Sequence, residues 1–309
     1  MSPAAPRRSA ALVALFVVFL WATSWVLIKF GLETIPPLTF AGLRYGLASL
    51  VLLPAVRLSG AGAAVRSLTR RDLGRLILLG ILLYGITQGA IFLALNALPA
   101  VTVNLLWSFS VIVVAGMAAV WLSESPTALQ WTGVFVATAG ALIYFLPARF
   151  GLDQRFGLLA ALVGVTANAG AAVLGRDVNR SGSTPPVVVT AISMMVGAVM
   201  LLGAGLALEA PPTLDLRGWS IILWLAVVNT ALAFTLWNGT LRALTAVESS
   251  VINGTMLIWI PILAAVFLGE HLTLKEAAGL VLVAAGTLLV QLKRIRPLTS
   301  SPVSRSPPR

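Results

Sequence analysis

The chain has 309 residues, of which 59% are apolar and only 10% charged, with a mean hydropathy of +0.97; ordinary soluble domains carry about 25% charged residues. A single soluble core stops growing near ~300 residues, so this much apolar surface needs lipid as its solvent. The absence of cysteine excludes a disulfide framework, thiol catalysis and zinc–thiolate sites, and the net charge of +11 sits between apolar stretches without interleaved aromatics, as topogenic charge does and a nucleic-acid surface does not.

Arg7 and Arg8 precede an apolar run from about Ala10 to Leu32. That run is too long for the hydrophobic region of a signal peptide and lacks a cleavage site, so it reads as a retained first helix. A membrane-spanning helix needs ~20 apolar residues at a rise of ~1.5 Å each. Ten segments qualify: 11–31, 36–57, 72–94, 100–121, 127–147, 154–175, 184–206, 217–240, 247–268 and 273–293. Pro36–Pro37, Ser125–Pro126, Pro185–Pro186 and Pro211–Pro212 fall at predicted ends, where proline costs least. The tail from residue 294 to 309 is polar and proline-rich and is expected to be disordered.

Ten crossings put both termini on one side. Arg149, Arg155, Arg217 and Lys275 then lie on the opposite side, and Lys29 and Arg44 lie within helices; the other 15 of the 21 basic residues share the side of the termini. The positive-inside rule makes that side cytoplasmic. The expected location is a bacterial-type inner membrane, multi-pass, with both termini cytoplasmic.

The chain also repeats itself. Ala97-Leu98-Pro99-Ala100-Val101 aligns with Ala243-Leu244-Thr245-Ala246-Val247, a shift of 146 residues. Without a gap, Leu122-Ser123-Glu124-Ser125-Pro126-Thr127 then meets Leu268-Gly269-Glu270-His271-Leu272-Thr273, Gly133 meets Gly279, and Gly140 meets Gly286. The unit is five helices. Five is odd, so the second unit enters the membrane inverted, as in transporters whose halves exchange conformations around an interfacial site. The expected organisation is a cytoplasmic tail over 1–10, a first five-helix repeat over 11–147, an inverted second repeat over 148–293, and a cytoplasmic tail over 294–309.

Polar side chains deep in lipid are costly. Tyr84, Ser110, Asn168, Asn229 and Thr230 fall near the midplane, and Gln88, Asn104, Ser108 and Asn253 somewhat off it. Two roles are open to the amides: lining a cavity, or joining helices by bonds worth ~0.6 kcal/mol on average. Trp121, Trp131 and Trp219 fit interfacial belts, whereas Trp21 and Trp259 lie at mid-depth, with Trp25 one turn after Trp21 and Trp107 nearby in helix 4. Ring faces there suit apolar or aromatic zwitterions, and ordinary packing is the alternative. Lys29 is free to snorkel, to pair with Glu33 one turn on, to dock a substrate carboxylate or to hold an outer gate. Arg44 is a gate, a structural charge or a carboxylate dock. All ten acidic residues fall at predicted ends or in loops, and the one histidine, His271, is in a loop. No midplane carboxylate is left to relay protons, which favours facilitated diffusion or exchange of a neutral or zwitterionic solute.

Phe19-Leu20-Trp21-Ala22-Thr23-Ser24-Trp25-Val26-Leu27-Ile28-Lys29, then Ile35-Pro36-Pro37-Leu38-Thr39-Phe40-Ala41-Gly42-Leu43-Arg44, resembles the opening of EamA-type members of the drug/metabolite transporter superfamily. Leu268-Gly269-Glu270-His271-Leu272-Thr273 resembles the end of the same repeat. Three departures stand out: Ala22 replaces a frequent glycine, the proline before the repeat-ending glutamate is present as Pro261 but replaced by Ala115 in helix 4, and the second half lacks the Trp and Pro-Pro landmarks. The two halves are therefore expected to bend differently. The resemblance implies an all-α membrane protein of ten helices around a central cavity that exports or exchanges small metabolites. Amino acids are foremost, since several relatives handle them, with aromatic or hydrophobic ones favoured. It lifts Gln88, Asn168 and Asn253 as cavity residues. Together with Trp21, Tyr84, Trp107 and Trp259 they form the expected substrate set, with Lys29 and Arg44 as gate or structural charges. The expected partners are the small-molecule substrate and the bilayer, as a monomer or weak homodimer, with no nucleic acid, cofactor or metal. A membrane-embedded enzyme acting on lipid or isoprenoid substrates is the alternative, but it would need clustered acids, histidines or a nucleophile–base pair.

Overall fold

Ten helices build the computed structural model, which describes residues 4–58, 65–122, 127–146, 151–180, 184–240, 243–244 and 246–291. The expected tail from 294, the side chain of Trp121, residue Glu124 and the boundary at 147–148 lie outside these residues. Helices α1 (Ala4–Gly31), α2 (Pro37–Leu58) and α3 (Arg70–Ala97) are followed by α4, which comes in two pieces, Ala100–Ser108 and Ser110–Leu122. Then come α5 (Ala128–Phe145), α6 (Leu152–Arg180) and α7 (Pro186–Leu208). Helix α8 joins Leu216–Ala226, Val227–Leu232 and Ala233–Thr240; α9 joins Ala246–Gly254 and Met256–Leu268; α10 is Leu274–Gln291. Nine helices among the described residues are long and apolar enough to cross a membrane, and α4 contributes a shorter apolar stretch, Ala100–Val114. Lipid offers no hydrogen-bond partners, so each segment must satisfy its own backbone, and helices do so.

The helix ends are written locally. Thr127 and Gln130 form a reciprocal capping box at α5, and Thr273 and Glu276 do the same at α10, 146 residues on. Gly269, at φ 66°, closes α9 in the left-handed conformation that only glycine adopts without strain. Longer-range caps bind one half to the other. The Glu209 carboxylate, after α7, accepts from the Leu38 and Thr39 amides at 2.7 and 2.8 Å at the start of α2. Glu270, after α9, accepts from Ala100 and Val101 at 2.7 and 3.1 Å at the start of α4. A carboxylate suits the positive end of a helix dipole in both places.

The halves meet along two glycine-rich seams. A Cβ on Gly133 would lie 2.6 Å from the Gly286 carbonyl, and one on Gly140 would lie 2.7 Å from that of Gly279. The faces on α5 and α10 therefore pack on each other inside the fold. Between α2 and α7, a Cβ on Gly42 would come within 2.8 Å of the Leu202 nitrogen, and one on Gly205 within 2.8 Å of the Thr39 nitrogen. Side chains that face outward are large and apolar, among them Phe135, Leu206 and Val266, as a lipid-facing surface requires.

The expectation that the two halves bend differently is corrected. Phe109 (φ −68°, ψ −13°) divides α4, and Thr255 (φ −64°, ψ −12°) divides α9, at positions 146 residues apart. At each, the amide bonds three residues back, Phe109 to Leu106 and Thr255 to Ile252, both at 3.1 Å, which is 3₁₀ geometry. Hydroxyls reinforce both joints: Ser108 donates to Leu105, and Thr255 to Ile252, each at 2.6 Å. Pro261 lies beyond the joint within an unbroken helical piece, so the break between the two pieces comes from these local bonds and not from the proline. Helices α3 and α8 are also matched, with π-helical stretches at Gly80–Thr87 and Val227–Leu232, 146 residues apart to within a residue.

Candidate functional site

The polar and aromatic groups at mid-depth gather around the two π stretches. In α8, neighbouring residues point to different partners, because successive side chains on a helix are separated by about 100°. The Asn229 amide nitrogen is shared among the Leu20 carbonyl, Thr23 Oγ1 at 3.0 Å and Ser24 Oγ at 2.9 Å, which ties α8 to α1. Thr230 is fully buried; its hydroxyl donates to the Leu225 carbonyl at 2.8 Å and accepts from Arg44 Nε at 3.1 Å, which ties α8 to α2. The wider spacing of a π turn leaves carbonyls for side chains to satisfy, and Thr230 takes one.

Arg44 is 5% exposed, with its guanidinium 5.1 Å from the ring centre of Tyr45. Tyr45 in turn packs on Tyr84 of the α3 π stretch, with ring centres 5.5 Å apart. Gly197 makes room for Tyr84: a Cβ there would lie 2.3 Å from the Tyr84 Cβ. Thr230, Arg44, Tyr45 and Tyr84 thus form one chain of contacts joining the π stretch of the second half to that of the first.

Trp21 lies on the same wall. Its ring is tilted against Phe234 and Trp237 of α8, at 5.3 and 5.1 Å, and its buried indole N–H has no acceptor. Trp259 is half-buried, four residues past the α9 joint, edge-on to Phe19 of α1 at 5.4 Å. A second group forms where α3, α4 and α6 meet. A Cβ on Gly164 would lie 3.5 Å from the Trp107 ring and 3.6 Å from the Thr87 carbonyl. Gln88 follows Thr87, and Asn168 is one turn beyond Gly164; both are half-buried. The Thr87 hydroxyl and the Asn229 carbonyl oxygen are buried without partners. Asn253 is exposed, two residues before the α9 joint.

Lys29 donates to the Leu95 and Leu98 carbonyls at 2.9 and 3.0 Å and so closes the C-terminal end of α3. Glu33 instead pairs with Arg217 at 3.1 Å. A cavity of about 450 Å³ opens close to this end, lined by Pro99, Thr102, Tyr144, Glu270, His271 and Lys275 among others. None of the seven residues expected to bind substrate lines it. Among the described residues no cluster of three or more His, Cys, Asp or Glu is placed to hold a metal ion.

Sequence reasoning passed over Tyr45, Thr87, Phe234 and Trp237. Tyr45 carried a signal, since it neighbours Arg44 and lies at the midplane. Phe234 and Trp237 carried none, because the sequence of α8 does not say which face meets Trp21.

Comparison with known proteins fits this architecture. The model of the EamA-like transporter family matches the chain twice, over residues 8–146 and 155–292. A Bacillus subtilis protein named as the uncharacterized transporter YvbV is 29% identical over 300 residues, covering 93% of each chain. Proteins named probable amino-acid metabolite efflux pump are 26% identical in Salmonella typhimurium and 28% identical in Escherichia coli, each over 90% of this chain and 93% of theirs. A crystal structure superposes with a TM-score of 0.65 at 18% identity, covering 91% of this chain and 97% of its own, which establishes the shared fold.

Proposed function

The chain belongs to the EamA-like transporter family and is a multi-pass membrane transporter, and from that premise we propose that it moves small neutral or zwitterionic metabolites by alternating access, as an exporter or facilitative exchanger. Amino acids are the foremost substrates, those with aromatic or hydrophobic side chains favoured. The observation that carries this reading is the duplication of the mid-membrane joints, at Phe109 and Thr255 and in the two π stretches. Two halves with the same bending points and opposite orientation can interchange their conformations, which opens the site first to one side and then to the other.

The chemistry between the halves supports a substrate of no large net charge. Glu209 and Glu270 cap helices, Asp72, Asp215 and Glu276 cap their own, and Glu33 pairs with Arg217. No described carboxylate lies among the aromatic groups at mid-depth. The names of the Salmonella and Escherichia coli relatives support amino acids as cargo. In this reading the repeats are residues 11–147 and 148–293, both termini are cytoplasmic in a bacterial inner membrane, the chain works as a monomer or weak dimer, and it performs no catalysis.

The test is solute counterflow. Liposomes containing only the purified protein, preloaded with unlabelled solute, are offered the labelled form of amino acids, nucleosides and sugars in turn. Transient accumulation of an aromatic or branched amino acid is expected. Counterflow confined to sugars or nucleosides would refute the substrate class, and no counterflow of any solute together with turnover of a lipid would refute transport.

A further inference from the structure

Arg44 is a cation at mid-membrane with no ion-pair partner among the described residues. A guanidinium carries five N–H donors. Here Nε is spent on Thr230 Oγ1, and no acid lies within ion-pair distance among the described residues. The two terminal nitrogens have no protein acceptor. They are not sealed from solvent, unlike Trp21 Nε1 and Asn229 Oδ1. The face of Tyr45 offsets only part of the charge. An unpaired buried cation is strongly unfavourable, and such residues in transporters pair with something.

We propose that the Arg44 guanidinium is the docking point for a substrate carboxylate. Nε is pinned by a hydroxyl that is itself pinned to Leu225, so the planar group is held in one orientation with its terminal edge unused. That edge presents two parallel N–H donors, the match for the two oxygens of a carboxylate. The dock is the residue through which the two π stretches are linked, Thr230 on one side and, by way of Tyr45, Tyr84 on the other. One charge is available and no second: Lys29 is held by the Leu95 and Leu98 carbonyls. A monocarboxylate balances the site, and a phosphate dianion does not. The dock is also single, since α7, the helix that matches α2, holds no arginine or lysine.

This inference rests on the transporter reading above and names the group its site recognises. The probes are phenylalanine, phenylalaninamide and 3-phenylpropionate, titrated by tryptophan fluorescence against the detergent-purified wild type, Arg44→Gln and Arg44→Lys. The wild type should bind both acids roughly 30-fold or more tighter than the amide, as loss of a buried charge partner does. Arg44→Gln should bring all three within about threefold, with Arg44→Lys between. A wild type that binds the amide as well as the acids overturns the dock even if no variant folds. A folded Arg44→Gln that keeps the preference overturns it too. Binding of phenylpropionate but not phenylalanine upholds the dock and refutes the amino-acid cargo, and binding of none of the three refutes both.

Discussion

The two halves of this protein share their backbone irregularities and differ in their charges. Joints at Phe109 and Thr255 have the same dihedral angles and the same hydrogen bonds, and the π stretches of α3 and α8 correspond. The Arg44 cation has no counterpart: α7, the helix that matches α2, holds no arginine or lysine. The comparison teaches a division of labour. Bending must be available to each half in turn, so it is duplicated. Recognition of one asymmetric solute needs its groups once, so it is not.

The seam between the halves offers the most damaging test. Gly133→Val, Gly140→Val, Gly279→Val and Gly286→Val each drive a side chain into a facing backbone, and each should lower stability by about 3 kcal/mol or abolish folded protein. Thermal melts in detergent would show it, with Gly203→Val, where an added Cβ meets nothing within 4 Å, as the control. Equal tolerance of all five would mean that α5 and α10 do not pack as described.

The next largest effect concerns the Lys29 charge at the end of α3. Lys29→Met leaves the Leu95 and Leu98 carbonyls short of a donor and should cost about 1–3 kcal/mol in the same melts. A melting temperature equal to wild type would make Lys29 a surface charge. Smaller again, Trp21→Ala and Trp259→Ala should raise the apparent KM for an aromatic amino acid about five-fold, the equivalent of ~1 kcal/mol of ring contact. Unchanged KM in both would assign these rings to helix packing against Phe234, Trp237 and Phe19.

The joints themselves give the finest comparison. Ser108→Ala and Thr255→Ala remove similar hydroxyl bonds, one residue out of register under the repeat, worth ~1 kcal/mol each. Each should change the counterflow rate by no more than about five-fold, and by similar factors if the joints are equivalent. A large change in one alone would show that only one half bends.

What the sequence disclosed follows from what it encodes locally. The ten segments, their inversion and the equivalence of Gly133 with Gly279 were legible, because lipid demands long apolar runs and repeats align by a constant shift. The contact partners were not: equivalence under the repeat pairs Gly133 with Gly279, whereas packing pairs Gly133 with Gly286. Lys29 has Glu33 one turn away in sequence, yet its acceptors are 66 and 69 residues distant. The π stretches Gly80–Thr87 and Val227–Leu232 share almost no residues, since they arise from backbone spacing under packing and not from composition. At the candidate site, depth singled out Trp21, Tyr84 and Trp259 as expectations, but which way each ring points is set by packing that no local pattern shows.

The account's centre is that duplicated backbone joints move a zwitterion past a mid-membrane region with no described carboxylate to carry protons. Exchange of labelled phenylalanine across liposomes, with and without a protonophore, tests it most directly. The account predicts that exchange continues at a rate within about twofold of the untreated vesicles, because no intramembrane acid has to titrate. Complete collapse of exchange on adding the protonophore would contradict it.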